Sequence, residues 1–187
     1  SGAAEKPVYL SIENGQAELR EAESLWGKDT NETEDILKEA HGEAKGRNGK
    51  PVEVACIGPA GENLSLLAAI INDKGRAAGR SGVGAVMGSK KLKAIVVSGT
   101  AEVPLADPEK AQAPRKEYMK KTGGAHELFV DYGTIGITGD SAMSGDSPVK
   151  NWGGVGPVDF PTGAVNFKDE TVIAYQDKKY GCWRCTM

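Results

Sequence analysis

Histidine, cysteine and aromatic side chains are scarce in this chain of 187 residues, which carries two His, three Cys and 6% Phe, Trp and Tyr. No histidine–carboxylate or serine–histidine arrangement can be assembled from so few partners, so the sequence displays no acid–base or nucleophilic relay. His41, near a predicted helix end, and His126, before Glu127-Leu128-Phe129, read as solvated surface residues. An odd number of cysteines argues against a self-contained disulfide framework and favours a reducing, cytoplasmic setting. Charge of one sign is lacking too: the net charge of -3 gives no electrostatic case for a general nucleic-acid binder, and the short run Lys90-Lys91-Leu92-Lys93 does not change that. Long apolar runs are absent, none approaching the ~20 residues that span a bilayer. Ser1 to Lys6 has neither the basic nor the apolar region of a secretory leader. Both ends read as cut, and one piece of a larger polypeptide is the expectation.

Glycine is what the chain has in excess: 25 residues, roughly twice the usual ~7% share. The densest segment is Arg76-Ala77-Ala78-Gly79-Arg80-Ser81-Gly82-Val83-Gly84-Ala85-Val86-Met87-Gly88-Ser89-Lys90-Lys91, directly before the apolar run Leu92 to Val97. Backbone this bare lets a ligand approach closely, and arginines beside it can fork two hydrogen bonds onto phosphate oxygens. Gly79-x-x-Gly82-x-Gly84 has the wrong order for a dinucleotide fingerprint and precedes a strand instead of following one. Gly84 to Lys90 lacks the adjoining Gly-Lys-Ser/Thr of a nucleoside-triphosphate loop. Two readings stay open on composition: a seat for a phosphate-bearing cofactor, or a glycine-rich crossing between a helix and a strand. Lys90, Lys91 and Lys93 by themselves read as solvated.

The pattern along the chain predicts an α+β organisation. Pro7 to Ile12 and Ala17 to Arg20 flank Asn14-Gly15, a strong hairpin signal because both residues tolerate positive φ. Trp26 reads as locally buried in the following connection. Asn31 and Glu34 have capping-box spacing, with Thr30 as a rival cap, and Ile36, Leu37 and Ala40 give an apolar stripe; together they predict a helix over 31–44. Val52 to Ile57 predicts a strand. Gly58-Pro59-Ala60-Gly61 then turns into a predicted helix over 62–73, with Leu66, Leu67, Ile70 and Ile71 on one face. Its N-terminal amides would make a favoured anion position, or the glycines would simply form a turn. Glu62 reads as a charge favourable to the first helical turn. Leu92 to Val97 is the next strand. Composition changes near residue 100, and a boundary is placed at about 100–105. Asp107-Pro108 predicts a cap and a short helix interrupted at Pro114, a second helical piece covers 118–132 broken at Gly123-Gly124, and 133–166 predicts a long glycine- and proline-rich loop. Trp152 and Phe160 favour order there.

Cys182-x-x-Cys185 admits a redox dithiol, a zinc half-site, a disulfide or part of an iron–sulfur cluster. The metal sites among these need further ligands beyond residue 187. Cys56, inside an apolar strand, reads as an inert buried thiol.

Taken together, Pro7-Val8-Tyr9-Leu10, Leu25-Trp26-Gly27, Thr33-Glu34, Ile57 to Asn63, Ile71-Asn72-Asp73, Gly75 to Ile95, Gly133-Thr134, Asn151-Trp152 and Cys182-x-x-Cys185 resemble the tungsten-containing aldehyde ferredoxin oxidoreductase family along the whole chain. The resemblance implies an α+β fold, with residues 1–102 forming the C-terminal half of a two-sheet tungstopterin-binding domain and 103–187 the start of a mostly helical cluster-binding domain. It implies that Arg76 contacts the phosphates of a tungsten bis-pterin cofactor and that the Ala77 carbonyl meets the bridging Mg2+. Gly79, Arg80, Gly82 and Gly84 would be the surrounding backbone, and Cys182 and Cys185 two ligands of a [4Fe–4S] cluster. The implied reaction is oxidation of an aldehyde and water to a carboxylic acid. Its implied partners are the remainder of the parent polypeptide, ferredoxin or iron–sulfur electron-transfer subunits, and a second copy in a homo-oligomer. The stretch 139–145 reads as an entry route to the pocket. Relatives on the same scaffold that act on phosphorylated aldehydes or aromatic thioesters are the alternatives, with a non-catalytic zinc-binding module as the rival from another class.

Overall fold

A computed structural model describes residues 2–177 apart from 43–45, 47–48, 103, 123–126 and 161. The chain divides into two compact units, Ser1–Pro104 and Leu105–Met187.

The first unit is built on one open sheet of six strands in the order β2-β1-β6-β3-β4-β5. They are β1 Val8–Glu13, β2 Gln16–Glu21, β3 Glu53–Cys56, β4 Ile70–Asn72, β5 Arg76–Ala78 and β6 Leu92–Ser98. Only β1 and β6 run parallel; every other neighbour is antiparallel. Among the described residues this is the one sheet, where part of a two-sheet domain was expected. The first hairpin forms as its turn demands, with Asn14 at φ 48° and Gly15 at φ 85°.

Strand alternation places Tyr9 opposite Ala94, Ser11 opposite Val96, Val54 opposite Val96 and Cys56 opposite Ala94. These residues therefore share one sheet face. Helix α1, Thr30–Ala40, packs on β3. Its Leu37 joins Tyr9, Val52, Val54, Cys56, Ala94 and Val96 in the buried core. The helix starts one residue before the predicted range and ends four before it. Its N-cap is Asp29, whose carboxylate accepts from Glu32 N–H at 2.9 Å, so neither Asn31 nor Thr30 serves as cap.

The helix expected over 62–73 is not formed. Helix α2 is a single turn, Pro59–Glu62, closed by Asn63, whose backbone and side-chain N–H groups both donate to the Pro59 carbonyl. Leu64 then takes φ 60° and breaks the helical path. Ile70 and Ile71 pair with Ala78 and Ala77 across the β4–β5 hairpin. Leu66 and Leu67, which sequence spacing put on a buried face, are 84% and 90% exposed. The glycine-rich segment is likewise not a bare crossing: it supplies β5 and helix α3, Val83–Ser89, and α3 packs on α2.

The second unit is helical. Helix α4, Pro108–Thr122, begins at Asp107, which accepts from Lys110 N–H at 3.0 Å, and continues through Pro114 where an interruption was expected. Helix α5 covers Glu127–Tyr132. The predicted loop over 133–166 instead holds short helical turns, among them α6 Thr138–Ser144 and α7 Gly156–Asp159, with α8 Asp169–Val172 after them. Local polar links close these turns: the Asp159 carboxylate accepts from Val155 N–H at 2.8 Å and from Lys150 Nζ at 2.5 Å. Those two bonds lower the Asp159 pKa.

Candidate functional site

The residues singled out in the glycine-rich segment begin on the β4–β5 hairpin, at one edge of the sheet. Its turn carries Asp73 at φ 48° and Lys74 at φ 56°, and helix α1 grips it. The Glu34 carboxylate, fully buried, accepts from Lys74 N–H at 2.9 Å through one oxygen and from Lys38 Nζ at 2.6 Å through the other. Lys74 Nζ in turn reaches the Asp35 carboxylate at 2.7 Å. Partial burial pulls the Lys38 pKa down, but its bond to Glu34 and that carboxylate's charge leave it raised overall.

Beyond the turn, Arg76 is half-buried, with its Nε 3.8 Å from the Asp73 carboxylate. Ala77, Ala78, Gly79 and Arg80 are exposed. Because β5 is at the edge of the sheet, backbone groups on its outer side face no neighbouring strand among the described residues. A Cβ added at Gly79 would meet nothing closer than the Ala77 Cβ at 3.9 Å, so the space around it is open. Small side chains, outward peptide groups and two guanidinium groups fit the chemistry of a phosphate pair with its hard cation.

The next glycines answer a different demand. Gly82 caps α3 in the left-handed conformation, and a Cβ there would lie 2.8 Å from the Leu66 carbonyl oxygen. At Gly84 it would lie 2.7 Å from the Ala69 oxygen, and at Gly88 it would collide with the Gly61 carbonyl. These three positions are glycine because α3 lies backbone-to-backbone against the 61–69 segment. A concavity of about 530 Å³ opens beside them, lined by Leu64, Leu66, Ser81, Gly82, Ala85 and Val86 among others.

Two acidic and basic residues take roles that sequence spacing did not reveal. Lys93, read as solvated, has no exposed surface at all; its Nζ donates to Glu62 Oε1 at 2.5 Å and to the Lys28 carbonyl at 2.7 Å. Glu62 accepts in addition from Gly27 N–H, at 3.0 and 2.9 Å to its two oxygens. It thus ties α2, β6 and the 27–28 loop together instead of serving the first turn of a long helix. The signal available was Lys93 interrupting an otherwise apolar strand, which marks either an edge or a buried partner.

Cys56 is buried as expected, donating weakly to the Thr30 carbonyl at 3.5 Å, and burial pushes its thiol up to about 11. His41 is not fully solvated: it caps α1, its Nε2 lies 3.2 Å from the Tyr9 hydroxyl, and its ring meets Tyr9 edge-on with centroids 5.8 Å apart. Burial first, then the Arg20 charge, lowers its pKa. In the second unit, the 139–145 stretch forms α6, with Ala142 buried beneath α7. Cys182, Cys185 and His126 lie outside the described residues. Among the described residues no group of three or more His, Cys, Asp or Glu could hold a metal ion, and no helix is long and apolar enough to cross a membrane.

Residues 1–99, the whole sheet unit up to its last strand, match the family described as aldehyde ferredoxin oxidoreductase, N-terminal domain. The chain belongs to the tungsten-containing aldehyde ferredoxin oxidoreductase family. It is 45% identical over 157 residues to the tungsten-containing aldehyde ferredoxin oxidoreductases of Pyrococcus furiosus and Thermococcus kodakarensis, covering 81% of this chain and 24% of each relative. It is also 37% identical over 190 residues to a Pyrococcus furiosus protein named aliphatic sulfonate oxidoreductase, WOR-like subunit, covering 97% of this chain and 30% of that one. A solved structure, the active site complex BamBC of benzoyl coenzyme A reductase with 1,5-dienoyl-CoA, is similar with a TM-score of 0.56 and 40% identity, covering 65% of this chain and 18% of that one. The chain therefore spans about a quarter of the length of the aldehyde ferredoxin oxidoreductases it matches.

Proposed function

We propose that this chain supplies part of the cofactor seat of a tungsten bis-pterin oxidoreductase that oxidises aldehydes to carboxylic acids, with electrons leaving through a [4Fe–4S] cluster to ferredoxin. The observation that carries the reading is the edge segment of half-buried Arg76 and exposed Ala77 to Arg80, lying in the part of the chain that matches the family's N-terminal domain. Arg76 would pair with the cofactor phosphates, the Ala77 carbonyl would meet the accompanying Mg2+, and Arg80 would lie in the adjoining backbone. Gly79 leaves the approach open, while Gly82 and Gly84 hold the backbone behind it. Residues 1–102 would be the C-terminal half of the pterin-binding domain, its second sheet completed by the remainder of the parent polypeptide. Residues 103–187 would open the helical domain, with Cys182 and Cys185 as two thiolate ligands of the cluster. The bound cofactor supplies the two-electron chemistry at the metal; this chain positions it and offsets its negative charge.

A second reading keeps the cofactor seat and changes the substrate. The similarity to a sulfonate oxidoreductase subunit and to a benzoyl coenzyme A reductase complex favours sulfonates or aromatic thioesters, in place of simple or phosphorylated aldehydes. Purifying the full-length protein from cells supplied with tungstate tests both levels. Tungsten, pterin and about four irons per chain support the seat and cluster. A folded protein free of tungsten and pterin overturns the seat, and zinc without cluster absorption replaces the oxidoreductase with a structural zinc module. Turnover of aldehydes, sulfonates and aromatic coenzyme A thioesters then separates the two readings.

A further inference from the structure

We infer that Glu34 is a positioning residue that sets the pose of the Arg76–Arg80 segment by hydrogen-bonding the turn from which that segment emerges. This rests on the cofactor reading for its functional consequence, but its structural content stands on separate observations. A three-residue turn whose first two residues hold positive φ without being glycine is costly to keep in one conformation. What holds it is a carboxylate forty residues earlier, fully buried, whose two oxygens are divided between the Lys74 amide and the Lys38 ammonium. A buried carboxylate acceptor aimed at one backbone N–H forms a charge-assisted bond, stronger than a bond between neutral groups.

The arrangement divides two duties along α1. Lys38 balances the Glu34 charge from the same helix, one turn later, and Glu34 spends its other oxygen on the turn. Asp35, the next residue, holds the Lys74 side chain from outside, in an exposed pair that contributes little energy but the same direction. Arg76 follows Lys74 by two residues, so a shift of the turn amide is carried directly into the strand that would face the cofactor phosphates. A displacement of about 1 Å at a positioned charge is enough to weaken its action strongly.

Two conservative substitutions separate reach from charge. Glu34→Asp keeps the charge but withdraws the acceptor by one methylene; Glu34→Gln keeps the length and can turn its one oxygen to the Lys74 amide, its NH2 releasing the part-exposed Lys38 ammonium to water. Amide hydrogen exchange, read by mass spectrometry in the full chain, is expected to speed up about tenfold across residues 72–78 in Glu34→Asp, and less than about threefold in Glu34→Gln. The strands β1, β3 and β6 keep wild-type protection in both. In the full-length protein made with tungstate, Glu34→Asp is expected to retain less than half the wild-type tungsten per chain and Glu34→Gln most of it. The opposite ranking, equal protection in all three proteins, or loosening spread evenly over the sheet would overturn the assignment. A wild-type protein that takes up no tungsten would overturn the cofactor reading instead, and the exchange ranking would still decide the role of Glu34.

Discussion

The two units of the chain bury their apolar residues to very different extents. In the first, strand alternation and α1 place Tyr9, Leu37, Val54, Cys56, Ala94 and Val96 in one continuous core, and even its deepest lysine is paired. In the second, among the described residues, Ala142 is the buried hydrophobic side chain, while Trp152, Val158 and Tyr175 are mostly exposed. Each Å² of apolar area left in water forgoes the roughly 25 cal/mol that its burial would contribute. The second unit therefore holds its shape mainly through local turns such as that closed by Asp159, and the first through contacts distant in sequence. Limited proteolysis sharpens the contrast. Fragments ending near residue 104 are expected to survive while 105–177 is cut, and simultaneous loss of both would show that the units do not differ in stability.

The largest effect on the first unit is expected from Lys93→Met, which strands the Glu62 carboxylate in the interior. Breaking one partner of a buried pair costs about 3–5 kcal/mol, measurable by urea denaturation, and a loss under about 1 kcal/mol would mean water reaches the pair. Next comes Gly88→Ala, whose new Cβ meets the Gly61 backbone; forcing α2 and α3 apart is expected to cost about 1–3 kcal/mol in the same assay.

Cys56 gives a smaller, pH-dependent effect. Its folded pKa of about 11 lies above the ordinary 9.0, so between those values the native state binds more protons than the unfolded chain. Stability is then full below pH 9 and falls as pH rises toward 11, by at most about 1.4 kcal/mol per pH unit. The difference between wild type and Cys56→Ala isolates this slope, and parallel profiles would contradict it. The smallest effects belong to exposed positions in both units: Leu66→Ser and Trp152→Ser are each expected to change stability by no more than about 0.5 kcal/mol.

Some local chemistry was legible in the sequence, though not the Asp29 cap or the run of α4 through Pro114, and distant chemistry was not. Asn14-Gly15 specifies its own turn, and the β3 and β6 runs carry their strand character in β-branched residues. The pattern Leu66, Leu67, Ile70, Ile71 satisfied helical spacing by coincidence, because Ile70 and Ile71 lie in a strand and are only partly covered, while Leu66 and Leu67 are exposed. Lys93 could not be read as buried without knowing that Glu62, thirty-one residues away, would meet it. The glycine-rich segment was conspicuous from composition alone. Its division into an open part at Gly79 and a close-packed part at Gly82, Gly84 and Gly88 depends on where the 61–69 backbone lies, which no local pattern encodes.

Amide exchange of residues 76–80 in the full-length protein, with and without the proposed tungsten cofactor, tests most directly whether the open edge of the sheet is a cofactor seat. Protection there is expected to rise at least about tenfold on loading while the β1–β2 hairpin is unchanged. Identical exchange of 76–80 in the loaded and empty proteins would contradict the assignment.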